Sequence, residues 1–431
     1  MNDFFRLLQR NRNYRFTWSG QVVSEIGDHF NNIAVFSLAM DHGDPGLVVT
    51  GVMLSRAIPA VMIGPFAGIL LDRFDRRRIM IASDLIRAVV ALGFILAFLW
   101  HSVTMLYVLS ALLMAASPFF TAGRSAILPT IASEEELHTA NSLTQTTGWT
   151  TLTIGAFLGG LSTNQFGYDW AFGFNALSFL VSAACIWQLH PPQGGFKAPR
   201  KNLNETDVVR PWHEYTEGLR YMRNSPLILG IALIGVGWAS GGGAAQILFS
   251  LFGEQVFHRG PAGIGVLWGS AGIGLLIGGA FAHWLGKRIT FQGYKRTVLI
   301  VFVVHGGSYV IFSQIKRFWL ALIFLALSRA GVAVSSVLNT RELLQHVSNE
   351  YRGRVFATME TLTWSTMMLS MLGAGLASRT MSPRTIGAVS GVLSSMTALY
   401  WGWANWTGRL PEPSREGVDV DDIEVHRNPV S

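Results

Sequence analysis

Four carboxylates and four arginines stand within or at the edge of stretches of this chain that are otherwise apolar. Glu25 and Asp28 lie in SGQVVSEIGDHFNNI, three residues apart and so on one helical face, and Asn32 continues that face a turn later. Asp84 and Arg87 repeat the one-turn spacing in SDLIRA. Arg56, Arg124, Arg329 and Glu360 are more isolated. A carboxylate kept out of water exchanges protons with its surroundings or is neutralised by a cation, and both chemistries fit here. Asp28 is therefore read either as a proton- or substrate-coupling group or as one member of a static ion pair, with Arg56 or Arg124 as partner. Arg329 and Glu360 either meet each other or meet a substrate.

Nothing else in the sequence supplies reaction chemistry. His29, His101, His258, His283 and His305 lack metal-ligand spacing, and the single cysteine, Cys185, sits in an apolar run. No nucleophile elbow, phosphate loop or Ser/His/Asp arrangement is present, so an enzyme is not expected and no cofactor is called for.

The elements that hold these charges must cross a bilayer. Of 431 residues, 50% are hydrophobic and 14% are charged, with mean hydropathy +0.35. Soluble chains carry about a quarter charged residues. The net charge of +7 falls in turns between apolar runs, which marks topology and not nucleic-acid binding. At about 20 residues per crossing, twelve spans are expected, near 15–40, 46–71, 79–100, 104–125, 141–166, 170–190, 226–252, 261–285, 294–314, 318–340, 355–378 and 384–406. The basic, amphipathic N-terminus precedes a polar-studded span without a cleavage site, so no removable signal is expected. Residues 1–190 form a first six-helix half, 191–225 a linker with a surface helix near Trp212 to Met222, 226–408 a second half, and 409–431 a polar tail.

Charge sets the orientation. Of the 33 Lys and Arg, 25 fall in segments on the side of the N-terminus, five on the other, and Arg56, Arg87 and Arg329 lie within spans. Basic loops stay cytoplasmic, so both termini are expected there. A shift of 215 residues lays Gly20 on Gly235, Gly27 on Gly242, Asp72 and Arg73 on Lys287 and Arg288, and Glu135 on Glu350. Two parallel halves suit rocking about a shared site, not a channel.

The turn GILLDRFDRRR, Gly68 to Arg78, is too charged for hydrocarbon and must be a surface hairpin. It resembles the G-x-x-x-D-R-x-G-R-R/K loop between the second and third helices of the major facilitator superfamily. Gly68, Asp72, Arg73, Arg76 and Arg77 match, with Asp75 where the pattern more often has glycine. GAFLGG in the fifth span resembles the G-P-x-x-G-G element of drug antiporters in that superfamily, with Ala156 at the proline, although helix packing explains these glycines about as well. SGQVVSEIGDHFNNIA, DRFDRRRIMIASDLIRA, GRSAILPTIASEEELHTANSL and RGRVFATME are similar to the branch of macrolide-efflux and enterobactin-exporter-like proteins.

The resemblance implies an all-α membrane protein of twelve transmembrane helices in two pseudo-symmetric halves. It implies export of amphipathic drugs or siderophores by proton antiport, energised by the proton gradient, from a bacterial inner (cytoplasmic) membrane, by a monomer. A lysophospholipid flippase or metabolite uptake carrier of the same fold is the alternative. An anionic substrate would favour a lining of Arg56, Arg124 and Arg329. Gly68, Asp72, Arg73, Arg76, Arg77, Asp84 and Arg87 are expected to form a cytoplasmic gate, with Asp72 near the positive end of a helix opening at Val355. Phe30, Trp149, Trp238, Trp268 and Trp364, with Met359, Met367, Met368 and Met371, could line a cavity for bulky amphiphiles. Most are expected to face lipid or to pack.

Overall fold

The structure, a computed structural model, describes residues 2–190, 195–196 and 211–412; most of the expected linker and nearly all of the tail lie outside them. Among the described residues there are helices and no strands. A short α1 (Asn2–Arg10) precedes six long helices: α2 (Arg12–Met40), α3 (Pro45–Arg73), α4 (Arg76–Leu99), α5 (Val103–Ile131), α6 (Glu134–Phe166) and α7 (Tyr168–Trp187). After α8 (Pro211–Asn224), the second set is α9 (Pro226–Leu251), α10 (Gly260–Gly286), α11 (Phe291–Gln314), α12 (Phe318–His346), α13 (Asn349–Ala377) and a pair, α14 (Pro383–Ser395) and α15 (Thr397–Trp406). Met396 between this last pair keeps helical backbone, so the two make one crossing.

Local chemistry sets the boundaries. Asn11, Asp44, Asp75, Ser102 and Ser133 each accept a hydrogen bond from a backbone N–H of the helix they precede, which satisfies a donor the helix itself leaves open. Asp75 thus explains its departure from the family pattern. Its φ of −66° requires no glycine, and its carboxylate caps α4. Ser133 and Glu136 form a reciprocal capping box at α6. Helices α5, α6, α12 and α13 run past the expected spans, because hydropathy marks the stretch in hydrocarbon and not where hydrogen bonding stops.

Eight of the segments are long and apolar enough to cross a membrane. The exceptions among the twelve are α2, α6, α13 and the α14–α15 pair. The first three carry Glu25, Asp28, the threonines and Glu360, and turn polar groups inward. The chain is a multi-pass membrane protein.

The two halves repeat each other in space. Helices α3 to α7 begin at 45, 76, 103, 134 and 168, and α10 to α14 begin at 260, 291, 318, 349 and 383, each 215 residues later. The neighbours repeat too: α2 packs on α6 and α7, α3 on α5, and α4 on α5 and α7. In the second half α9 packs on α13 and α14, α10 on α12, and α11 on α12 and α14. The α2–α9 pair is offset by 214, so the partner of Gly27 is Gly241 and not Gly242. Gly27 lies against Ser178 of α7, and Gly241 against the Ser390 carbonyl of α14.

Between halves the main contacts are α6 on α10 and α3 on α13. The first is backbone on backbone. A Cβ at Gly265 would meet the Ala156 carbonyl at 2.4 Å and Gly160 Cα at 2.8 Å, and one at Gly272 would meet Thr153 Cα at 3.0 Å. The glycines of GAFLGG serve helix packing, Gly155 and Gly159 against α2 of the same half and Gly160 against α10 of the other.

Candidate functional site

The charges of the first half gather along α2 in two clusters, one around Glu25 and one around Asp28. Gln21 Nε2 donates to Glu25 Oε1 at 2.8 Å, Thr151 Oγ1 donates to Glu25 Oε2 at 2.7 Å, and Arg124 Nη1 reaches Glu25 Oε1 at 3.4 Å. Glu25 is held by three donors. Arg124, assigned to a loop in the charge count, lies inside α5 because this pairing keeps it there.

Asp84 and Arg87 are 0% and 3% exposed and hydrogen-bonded to each other. The Arg87 guanidinium also packs over Phe120 and Phe179, 4.8 and 4.3 Å from the ring centroids. Its other end faces Asp28, with Nη1 3.9 Å from Oδ2. The partner of Asp28 is therefore Arg87, and not Arg56 or Arg124. That contact is too long for a hydrogen bond, and Asp28 Oδ1 is buried with no protein hydrogen-bond partner. Asp28 is the least satisfied carboxylate of the two clusters. Asp84 and Arg87 are thus tied to Asp28, and among the described residues no ion pair joins them to Asp72.

Arg56 has no carboxylate within ion-pairing distance among the described residues, and its Nη1 is buried without a protein partner. It lines a cavity of about 170 Å³ with His29, Asn32, Gln246 and Trp268, where α2, α3 and α6 of one half meet α9 and α10 of the other. Arg329, buried on α12, lies over Phe249 and Tyr309 at 5.2 and 5.8 Å. Close by, His305 Nδ1 lies 2.8 Å from Ser328 Oγ. No ion pair links Arg329 to Glu360. Glu360 is exposed into a larger cavity, about 530 Å³, walled by α3, α5 and α13 and including Gly64, Thr121, Trp364 and Met368. Of the residues expected to line a cavity, Trp364, Met368 and Trp268 do so, whereas Met367 and Met371 are buried packing residues.

The charged hairpin holds its own half together. Arg76 Nη1 donates to the Ala126 carbonyl at 2.7 Å; Arg77 donates to the carbonyls of Ile186 and Trp187 and lies over the Trp187 ring. These are the last carbonyls of α7, where a cation complements the helix dipole. Arg73 is exposed, and Asp72, 76% exposed, reaches only Arg76 among the described residues, at 4.0 Å. The helix expected near Asp72 opens at Asn349 and not at Val355, and Asp72 has no hydrogen bond or ion pair to it. Gly68 and Gly64 have open space where a Cβ would be.

The far end is shut: Arg379 Nε pairs with Asp44 Oδ2 at 3.6 Å, and Gly375 and Gly46 pack against Thr50 and Ser378. The halves pack together at the end away from the hairpin, whereas toward the hairpin Gly64 and Gly68 face open space and the cavity of about 530 Å³ lies between α3, α5 and α13.

Gln246 and the Gln21 and Thr151 donors were not singled out from sequence. Gln21 carried a readable signal, one turn before Glu25; Thr151 and Gln246 come from other helices and carried none.

Residues 17–371 match the family model described as Major Facilitator Superfamily. The chain is 26% identical over 397 residues to the uncharacterized MFS-type transporter YfiS of Bacillus subtilis (strain 168), covering 88% of this chain and 90% of that protein. It is 25% identical to the putative bacilysin exporter BacE of the same organism, over 84% of this chain and 89% of that one. It is 24% identical to macrolide efflux protein A of Streptococcus pyogenes, over 82% and 85%. Among solved structures it is similar to an auto-inhibited POT family peptide transporter, with TM-score 0.71 and 12% identity over 97% of this chain and 99% of that one. A bacterial homologue of the iron transporter ferroportin in an inward-facing state gives TM-score 0.65 and 15% identity over 90% and 98%. At these identities the structural likeness shows the fold.

Proposed function

Because the chain belongs to the Major Facilitator Superfamily, we propose that it is a proton-coupled exporter of amphipathic small molecules working by alternating access. Its family and fold are those of transporters, and its curated relatives include efflux-type proteins. The finer reading rests on one observation. Asp28, on α2 of the first half, faces Arg87 at 3.9 Å without a hydrogen bond, while Glu25 beside it is fully held.

A carboxylate so loosely paired is the group that can gain and lose a proton as its surroundings change. Protonation releases Arg87 to Asp84 alone and alters the charge carried when the halves rock. With the hairpin cytoplasmic, as the basic-residue asymmetry supports, the state described is open inward. The membrane is then the bacterial inner membrane, both termini lie inside, and the working unit is a monomer.

The test uses purified protein in vesicles with an acidic lumen, offered ethidium, a fluorescent macrolide and dansylglycine. Gradient-driven uptake of at least one dye is expected, and Asp28→Asn is expected to abolish it while the protein still binds the dye. Uptake that survives in Asp28→Asn moves coupling to Glu25, Asp84 or Glu360. No gradient-dependent movement of any dye sinks the export reading.

A further inference from the structure

The cavity at Arg56 is distinguished by what is missing from it. Its polar side chains are Arg56, Asn32, His29, Gln246 and Trp268, all able to donate hydrogen bonds, and it contains no carboxylate. Two of these donors, Arg56 Nη1 and Trp268 Nε1, are buried with no hydrogen-bond partner, as is one acceptor, Asn32 Oδ1. A guanidinium whose buried Nη1 has no acceptor, and which has no carboxylate within ion-pairing distance among the described residues, is costly, and native proteins leave such groups for a reason. Asp28, which neighbours His29 of the cavity wall in sequence, is paired at 3.9 Å with Arg87, and Glu25 is taken by Arg124.

The rest of the wall is apolar, with Ile33, Phe36 and Leu152 among its residues. Ligand pockets for whole drug-sized molecules run about 300–1,000 Å³, so a cavity of about 170 Å³ takes one end of a molecule and not all of it. Because Arg56 and Asn32 come from one half and Gln246 and Trp268 from the other, whatever sits here touches both moving bodies.

We propose that this cavity is the subsite for an acidic group of the transported molecule. The group is a carboxylate on a short apolar stem, held by the Arg56 guanidinium from the first half and the Trp268 N–H and Gln246 amide from the second. The proposal rests on the export reading and narrows its substrates to amphiphiles that carry an acid. It also gives Trp268 a role beyond packing, since its ring stands edge-on to Phe249, which in turn lies under Arg329.

The test titrates the full chain in nanodiscs with dansylglycine and with dansylglycinamide, which differ only in the acid. Wild type is expected to bind the acid about ten-fold or more tighter, the scale of a charge-assisted hydrogen-bonded pair. Arg56→Gln is expected to bring the acid to the level of the amide, and Trp268→Phe to remove part of the preference. Arg56→Lys, which keeps the charge, retains part of it and decides the matter if Arg56→Gln does not fold, as judged by thermal unfolding and elution. Equal binding of acid and amide by wild type, no saturable binding of the acid, or a preference that survives in Arg56→Gln overturns the proposal. Vesicle uptake separates it from the reading it rests on. Gradient-driven transport of ethidium with no acid preference in binding overturns the subsite and leaves export standing; acid bound through Arg56 but never moved by the gradient upholds the subsite and counts against proton-coupled export.

Discussion

Arg87 is the residue on which the first half's polar interior depends. It is a buried cation shared by Asp84 and Asp28 and clamped between two phenylalanine rings. Removing it leaves Asp84, which is 0% exposed, without its counter-charge. Breaking a buried pair from one side costs about 3–5 kcal/mol, whereas replacing both partners by neutral groups costs far less. Arg87→Ala is therefore expected to lower the thermal unfolding midpoint in detergent severely, and the double variant Asp84→Asn/Arg87→Gln to recover much of the loss. Equal destabilisation of the two would mean that Arg87 acts by volume and ring contact alone. Asp28→Asn should barely move the midpoint, because its contact with Arg87, at 3.9 Å, is too long for a hydrogen bond, so a transport defect there separates from a folding defect. Little of this was legible in sequence. The Asp84–Arg87 pair was, since i and i+3 share a helix face, but the Arg124–Glu25 pair spans 99 positions and joins helices whose rotation only packing fixes.

At the scale of elements, the helices were readable because hydrocarbon demands long apolar runs, and the 215-residue shift in the sequence reappears in five pairs of helix starts. Lengths beyond the bilayer were not readable, since caps such as Ser133 and the capping box at α6 lie in polar sequence. Nor could sequence say which glycines meet the other half. On α10, Gly265 and Gly272 face α6, whereas Gly274 and Gly278 face the Ala326 and Ala330 carbonyls of α12. The two faces should answer differently to substitution. Gly265→Ala sets a Cβ against backbone of the opposite half, so the halves must shift; transport is expected to fall and stability to drop by about 1–3 kcal/mol, the usual cost of overpacking. Gly148→Ala on α6, with open space beyond it, is expected to leave both within about 0.5 kcal/mol of wild type. Gradient-driven dye uptake and thermal unfolding on the two variants check this, and equal effects would deny that α6–α10 contact sets the rocking surface.

For the whole molecule, the proposed alternating access raises the question of what balances its two states. The far end is closed by small residues in contact and by the Asp44–Arg379 pair, which is largely exposed and so worth only about 0–1 kcal/mol. Such a closure is easily reversed. At the hairpin end Asp72 has no ion pair or hydrogen bond to the other half among the described residues, and α13 opens at Asn349 with the positive pole of its dipole. If the opposite state brings these together, Asp72 stabilises that state and contributes nothing to the one described here. Neutralising it must then shift the population toward closure at the far end. Asp44→Cys with Arg379→Cys, in a Cys185→Ser background, reports that closure by cross-linking. Adding Asp72→Asn is expected to raise the cross-linked fraction and lower dye uptake together. A contact worth about 1 kcal/mol changes the ratio of states about five-fold, well within what cross-linking resolves. An unchanged fraction would show that Asp72 biases neither state, and would leave the hairpin the lesser task its arginines already perform, holding the ends of α5 and α7 in place.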